Sequence, residues 1–97
     1  MGLQTFVDDD AGYERWRSGH EDDGFVINAN DPPRADYLRL HRAYCHHISQ
    51  LQRGSTTFTG GDYVKICADG SDARGELERY VARHGWELTA GCYCVNT

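Results

Sequence analysis

The chain has 97 residues, with 10 Lys+Arg against 15 Asp+Glu and a formal net charge of −5. That length holds one domain, and the acidic total excludes the blanket basic surface of a histone-like coat. The longest apolar runs are only a few residues, which excludes a membrane-spanning helix. A chain of this size buries only roughly 60–65% of its unfolded surface, so its apolar core needs a supplement.

No basic start followed by an apolar stretch opens the chain. The expected compartment is therefore the cytoplasm, where cysteines serve more often as metal ligands or buried thiols than as disulfides. The charge is unevenly placed. Residues 1–31 carry net −6, residues 32–66 carry net +3 and residues 67–97 carry net −2. The middle third is the only basic part, holding Arg34, Arg39, Arg42, Arg53 and Lys65 with His41, His46 and His47 among them.

In chain order, the first expected element is a helix from about Asp9 to Arg17, opened by Asp8-Asp9-Asp10, whose carboxylates suit the free amides of a helix start. Tyr13 and Trp16, three apart, share its buried face. Gly24–Asn28 predicts a buried strand, stopped by the turn chemistry of Asn30-Asp31-Pro32-Pro33. Tyr37–His41 alternates, with Leu38 and Leu40 on one face and Tyr37, Arg39 and His41 on the other, so it predicts a second strand pairing antiparallel with the first. A Gly/Ser/Thr-rich loop over Gln50–Gly61 leads into a third strand, Tyr63–Cys67, in which Lys65 reads as solvent-facing.

The clearest helix runs from Ala73 to His84, with Ser71 or Asp72 as N-cap, Leu77, Tyr80, Val81 and His84 on one face, and Gly85 as the residue after its C-cap. Trp86–Thr89 predicts a last short strand before Cys92-Tyr93-Cys94. The order gives an α+β domain over residues 1–97: an acidic helix region over 1–23, then over 24–97 a small antiparallel sheet, the main helix and a zinc site.

The zinc reading starts from spacing. His41 and Cys45 stand four apart at a strand end, and Cys92 and Cys94 close the chain. Zinc takes four borderline donors in a tetrahedron, commonly one pair from each of two turns. Two ligand sets compete: Cys45, Cys67, Cys92 and Cys94, or the same set with His41 in place of Cys67. The first is preferred because Cys67 falls at a strand end, from which it can reach a neighbouring turn. Reduced thiols without metal, or disulfides, remain the alternatives. His46 and His47 are adjacent and read as solvated or locally hydrogen-bonded.

The run Leu40-His41-Arg42-Ala43-Tyr44-Cys45, followed by strand, helix and a late cysteine pair, resembles the small zinc-binding modules of the Ada type and those appended to some micrococcal-nuclease-like proteins. There a H-R-P-x-C run is closed by C-x-x-C. Here Ala43 stands in the proline's place, the closing pair is C-x-C, and Cys67 has no counterpart. The resemblance, over about Gly24 to Cys94, implies a structural zinc. No spacing in the chain demands a catalytic residue.

Arginines with Tyr37 and Tyr44 nearby combine phosphate-pairing guanidiniums with rings able to stack on bases. The expected function is a zinc-stabilised recognition module that binds DNA or RNA through segment 32–66, with Arg39, Arg42 and Arg53 on phosphates, accessory to DNA processing. The alternative is a protein-interaction or scaffold domain without catalytic activity, displaying an aromatic patch around Trp16 or Tyr44.

Overall fold

A computed structural model describes residues 3–50, 57–89 and 92–95 of the chain. Four strands, β1 (Leu3–Phe6), β2 (Phe25–Asn30), β3 (Leu38–Arg42) and β4 (Tyr63–Ala68), form one antiparallel sheet in the order β1-β4-β2-β3. Three helices, α1 (Asp10–Gly19), α2 (His46–Ser49) and α3 (Ala73–Arg83), complete an α+β fold, and a 3-10 turn spans Tyr93–Val95.

The central position of β2 and β4 explains their composition. Both have a strand along each edge and helices over their faces, α3 on one and Tyr13 of α1 on the other, and β4 is buried from Val64 to Ala68. Register then sorts the side chains into rows. Leu40, Ile27 and Ile66 share one face, against which α3 packs, burying Leu77 and Val81. His41, Val26 and Cys67 form a row on the other face, beside a second row of Arg39, Asn28 and Lys65. This second face meets α1, whose Tyr13 and Trp16 rings lie 6.0 and 6.4 Å from Phe6. Fully burying a Leu or Ile side chain contributes about 1.5–3 kcal/mol, so the two opposed rows hold the layers together.

Both main helices carry their expected ends. Asp9 caps α1, accepting from the Gly12 N–H at 2.9 Å. Asp72 is the N-cap of α3, and Gly85 follows its C-cap at φ +73°. The N–H groups of Gly85 and Trp86 bond to Ala82 and Val81 carbonyls at 2.9 and 3.0 Å, which closes a Schellman motif that favours glycine.

Three expectations change. The sheet starts at Leu3 and not at Gly24, because the exposed Leu3–Phe6 segment pairs with the distant Lys65–Ala68. Trp86–Thr89 is not a strand: within it only Thr89 bonds to β3, its N–H and hydroxyl both reaching the single carbonyl of Leu38, at 3.0 and 2.9 Å. Lys65 is buried on a central strand, its ammonium donating to Asn28 Oδ1 at 2.9 Å and the Phe58 carbonyl at 2.7 Å. Burial pulls its pKa down to about 8, with Cys67 and Asp10 working the other way.

Asp10 fastens the approach to β4. Its carboxylate accepts from the hydroxyls of Thr57 and Thr59 and the N–H groups of Phe58 and Thr59, all between 2.7 and 3.0 Å. Desolvation pushes its pKa up, but these bonds outweigh it and hold the group at about 2. The folded value lies below the ordinary one, so the stabilisation is complete above about pH 4 and fades as pH falls through about 2. Asp10→Ala is expected to cost about 1–3 kcal/mol in urea unfolding at pH 7, because it orphans several donors at once. An unchanged midpoint would show that water replaces the carboxylate there.

Candidate metal centre

The residues that converge at the outer end of β3 come from three places in the chain. His41 lies on β3, Cys45 is the N-cap of α2, and Cys92 and Cys94 flank the start of the terminal 3-10 turn. Short hydrogen bonds bring them together. Cys45 N–H reaches the Arg42 carbonyl at 2.9 Å, which turns the chain out of β3, and Cys92 N–H reaches the Leu40 carbonyl at 3.3 Å, which lays the C-terminal segment along the β3 edge. The Arg42 side chain secures that segment, donating from Nε to the Cys94 carbonyl at 2.9 Å while its guanidinium lies 5.1 Å above the Phe25 ring.

One donor atom each from His41, Cys45, Cys92 and Cys94 lie within 4.8 Å of one another, and all four residues are buried. The Cys45 and Cys92 sulfurs are 3.6 Å apart. A tetrahedral zinc with Zn–S bonds of 2.3 Å has an S···S edge of about 3.8 Å, so this pair is already at ligand spacing. Nδ1 of His41 is buried with no hydrogen-bond partner among the described residues, an orphan that a metal bond at Nδ1 would satisfy. Burial, with the charges of His47, Arg39 and Lys65, pushes His41 down to about 4, so at neutral pH the ring keeps its lone pair for a metal.

Each sulfur also has a backbone donor. The Arg42 N–H reaches Cys94 Sγ at 3.3 Å, the His47 N–H serves Cys45, and the Cys94 N–H serves Cys92. Such bonds spread thiolate charge and orient the ligands. Without a cation the thiols oppose one another. Burial pushes Cys45 up to about 12, and the neighbouring Cys94 and Cys92 add to the rise against the His47 N–H. Burial works to raise Cys92 too, but the Cys94 N–H and the bonds with Cys45 and Cys94 outweigh it and hold Cys92 below the usual thiol range. A divalent cation removes the conflict by deprotonating all its thiol ligands. The donor set therefore fits a structural zinc, held by three thiolates and one neutral imidazole.

Of the two ligand sets open in the sequence, the fold brings together the one with His41. Cys67 lies apart from the cluster, two strands from His41 with Val26 between them. At about 4.8 Å per strand step the separation is roughly 10 Å, too far to share an ion. Cys67 instead sits fully buried on a central strand, where desolvation raises its thiol pKa. The reading that favoured Cys67 assumed its strand to be next to the cluster, whereas β2 stands between β4 and β3.

His47 enters the site in a way the sequence gives no sign of. Its Nδ1 lies 3.3 Å from Cys92 Sγ and 3.6 Å from Cys45 Sγ, so a proton on that nitrogen is shared between two sulfurs. The short turn of α2 is what returns it to the cluster, two residues after Cys45.

The arginines separate. Arg39 stands half-buried on the same face of β3 as His41, in the row beside it, and His41 itself is only 3% exposed. Arg42 is engaged within the domain, and Arg53 lies outside the described residues. Trp16 is a core residue whose indole N–H donates to Asp69 at 3.0 Å, whereas Tyr44 is 54% exposed. No helix among the described residues is long and apolar enough to cross a membrane. No family model matches the chain, and no curated protein or solved structure gives a match to it.

Proposed function

We propose that this is a small zinc-stabilised recognition module of the cytoplasm that binds nucleic acid through the basic segment 32–66, as an accessory to DNA processing. The zinc holds the outer end of β3 and the C-terminal segment together, and the chain's own residues do the binding. The observation that carries the reading is one sheet face beside the metal centre. There Arg39, with no carboxylate partner among the described residues, stands near Tyr37, whose ring meets the half-exposed Tyr63 ring at 5.8 Å. A cation for phosphate and rings for bases on one face is what single-strand binding uses. The resemblance to Ada-type zinc modules in the sequence supports the structural-zinc part of this reading.

The test is affinity for short single-stranded DNA and RNA as a function of salt. Two or three phosphate contacts give a log–log slope of about −1.5 to −2 on single strands, whereas a flat slope, or no binding at about 50 mM salt, sinks the proposal. A second reading, a protein-interaction domain, is favoured by the outer edge of β1, which no strand covers among the described residues, with Leu3 and Val7 exposed beside it. It calls for a protein partner whose association tolerates salt.

A further inference from the structure

We infer that the cleft bordered by Arg39, Asn28 and Tyr37 is a phosphate-ester site that takes one phosphate of a nucleic-acid strand. The inference rests on the proposed function for the source of the phosphate, and on the cleft alone for its chemistry.

Register sets Arg39, Asn28 and Lys65 in one row across β3, β2 and β4. The Lys65 end is roofed by α1, with its ammonium 5.9 Å from the centre of the Tyr13 ring. The Arg39 end opens into a cleft of about 210 Å³ lined by Asn28, Tyr37, Arg39, His41 and His47. At about 30 Å³ per water molecule, that holds a tetrahedral oxyanion and part of its ester chain.

The lining is set up to donate. Nε of Arg39 is buried and has no hydrogen-bond partner among the described residues. A buried guanidinium N–H left unpaired is costly, so it calls for an acceptor that the chain itself does not supply. Lys65 donates to Asn28 Oδ1 at 2.9 Å, which fixes the amide with its NH₂ group towards the Tyr37 oxygen at 3.5 Å. The Tyr37 oxygen accepts there, so its own proton is left to donate. Guanidinium, amide and phenol thus converge as donors, and the ligand they complement carries acceptors only, as a phosphate does.

Charge is consistent with this. A zinc held by three thiolates and a neutral imidazole carries net −1, which Arg39 offsets, while the cationic Lys65 stands behind Asn28. The rival account makes Arg39 merely the counter-charge of the thiolates, and the experiment separates the two.

The zinc-loaded chain, labelled with ¹⁵N, is titrated with inorganic phosphate and then with a short single-stranded DNA carrying or lacking a 5′-phosphate. Phosphate is expected to shift the Arg39 Nε–H resonance saturably. Arg39→Gln is expected to weaken oligonucleotide binding about tenfold and to flatten the salt slope by about 1, with zinc content unchanged. Arg74→Gln, on the exposed Arg74–Glu78 pair of α3, is the control and should change affinity less than twofold. Stronger binding of the 5′-phosphorylated strand assigns the cleft to a terminal phosphate, and equal binding to an internal one; both uphold the site. If the oligonucleotide binds equally well to Arg39→Gln, the cleft inference falls and the nucleic-acid function stands. If phosphate shifts Arg39 but no oligonucleotide binds, the cleft stands and the proposed function falls. Loss of zinc from Arg39→Gln with no response to phosphate in the parent chain makes Arg39 a counter-charge and overturns the inference.

Discussion

Stripping the metal with a strong chelator is expected to unfold the chain, and native mass spectrometry is expected to show one zinc per chain beforehand. The size of the effect follows from two magnitudes. Structural zinc binding contributes apparent free energies of about 10–16 kcal/mol, while a typical domain has only about 5–15 kcal/mol of net stability. The centre ties the edge strand β3 to α2 and to the C-terminal segment, which otherwise meets β3 through a few single hydrogen bonds. Single substitutions sharpen the test. Cys92→Ala, or Cys45→Ala, is expected to abolish zinc binding and cooperative unfolding together. Cys67→Ala is expected to keep stoichiometric zinc and to cost about 1–2 kcal/mol, the price of a small cavity on a central strand. The reverse pattern would restore Cys67 to the ligand set. A folded chain with no bound metal, short of two or four protons in mass, would replace the centre with disulfides.

The contrast between Cys67 and His41 shows where sequence reasoning runs out. Helix α3 was legible because its signals are local: an acidic N-cap, apolar residues on one face, and Gly85 after its C-cap, where the backbone turns left-handed. Strands β2, β3 and β4 were legible within a residue or two for the same reason, through alternation and turn chemistry. The ligand set depends on which segments end up side by side: the order β3-β2-β4 sets β2 between His41 and Cys67, and the Cys92 N–H bond to the Leu40 carbonyl brings the late cysteine pair to β3, both contacts between distant segments. Strand β1 was hidden because four mostly exposed residues carry no pattern of their own and gain their structure from β4. Lys65 was misread as solvent-facing because α1 and the segment at Phe58, both distant in sequence, lie over its face of the sheet, with the Tyr13 ring 5.9 Å from the ammonium, so its polar position became a buried one. Its ammonium is satisfied by Asn28 and Phe58 instead of water, and that same bond is what orients the Asn28 amide towards the cleft.

Replacing Tyr13 is expected to reach the metal centre from the far side of α1. Tyr13 is fully buried, its ring 6.0 Å from Phe6 and 5.4 Å from Phe58, and its hydroxyl donates to the Ile48 carbonyl at 2.5 Å. Burial drives the phenol pKa far up, so the group stays a donor at any pH at which the domain is folded. Its acceptor matters because Ile48 belongs to α2, a helix of four residues with Cys45 as its N-cap. So short a helix has no stability of its own. It is held at one end by the metal ligand and towards the other by Tyr13. Tyr13→Ala is expected to cost about 3–5 kcal/mol through the lost ring, and Tyr13→Phe about 1–3 kcal/mol through the orphaned carbonyl alone. The Phe variant is the informative one, since it keeps the packing and removes only the tether. It should release zinc to a competing chelator several-fold faster than the parent chain, while Arg74→Gln on α3 should not. Slower unfolding-limited loss in both, with no difference between them, would mean that the metal alone holds α2 in place and that the aromatic core and the zinc centre are independent supports.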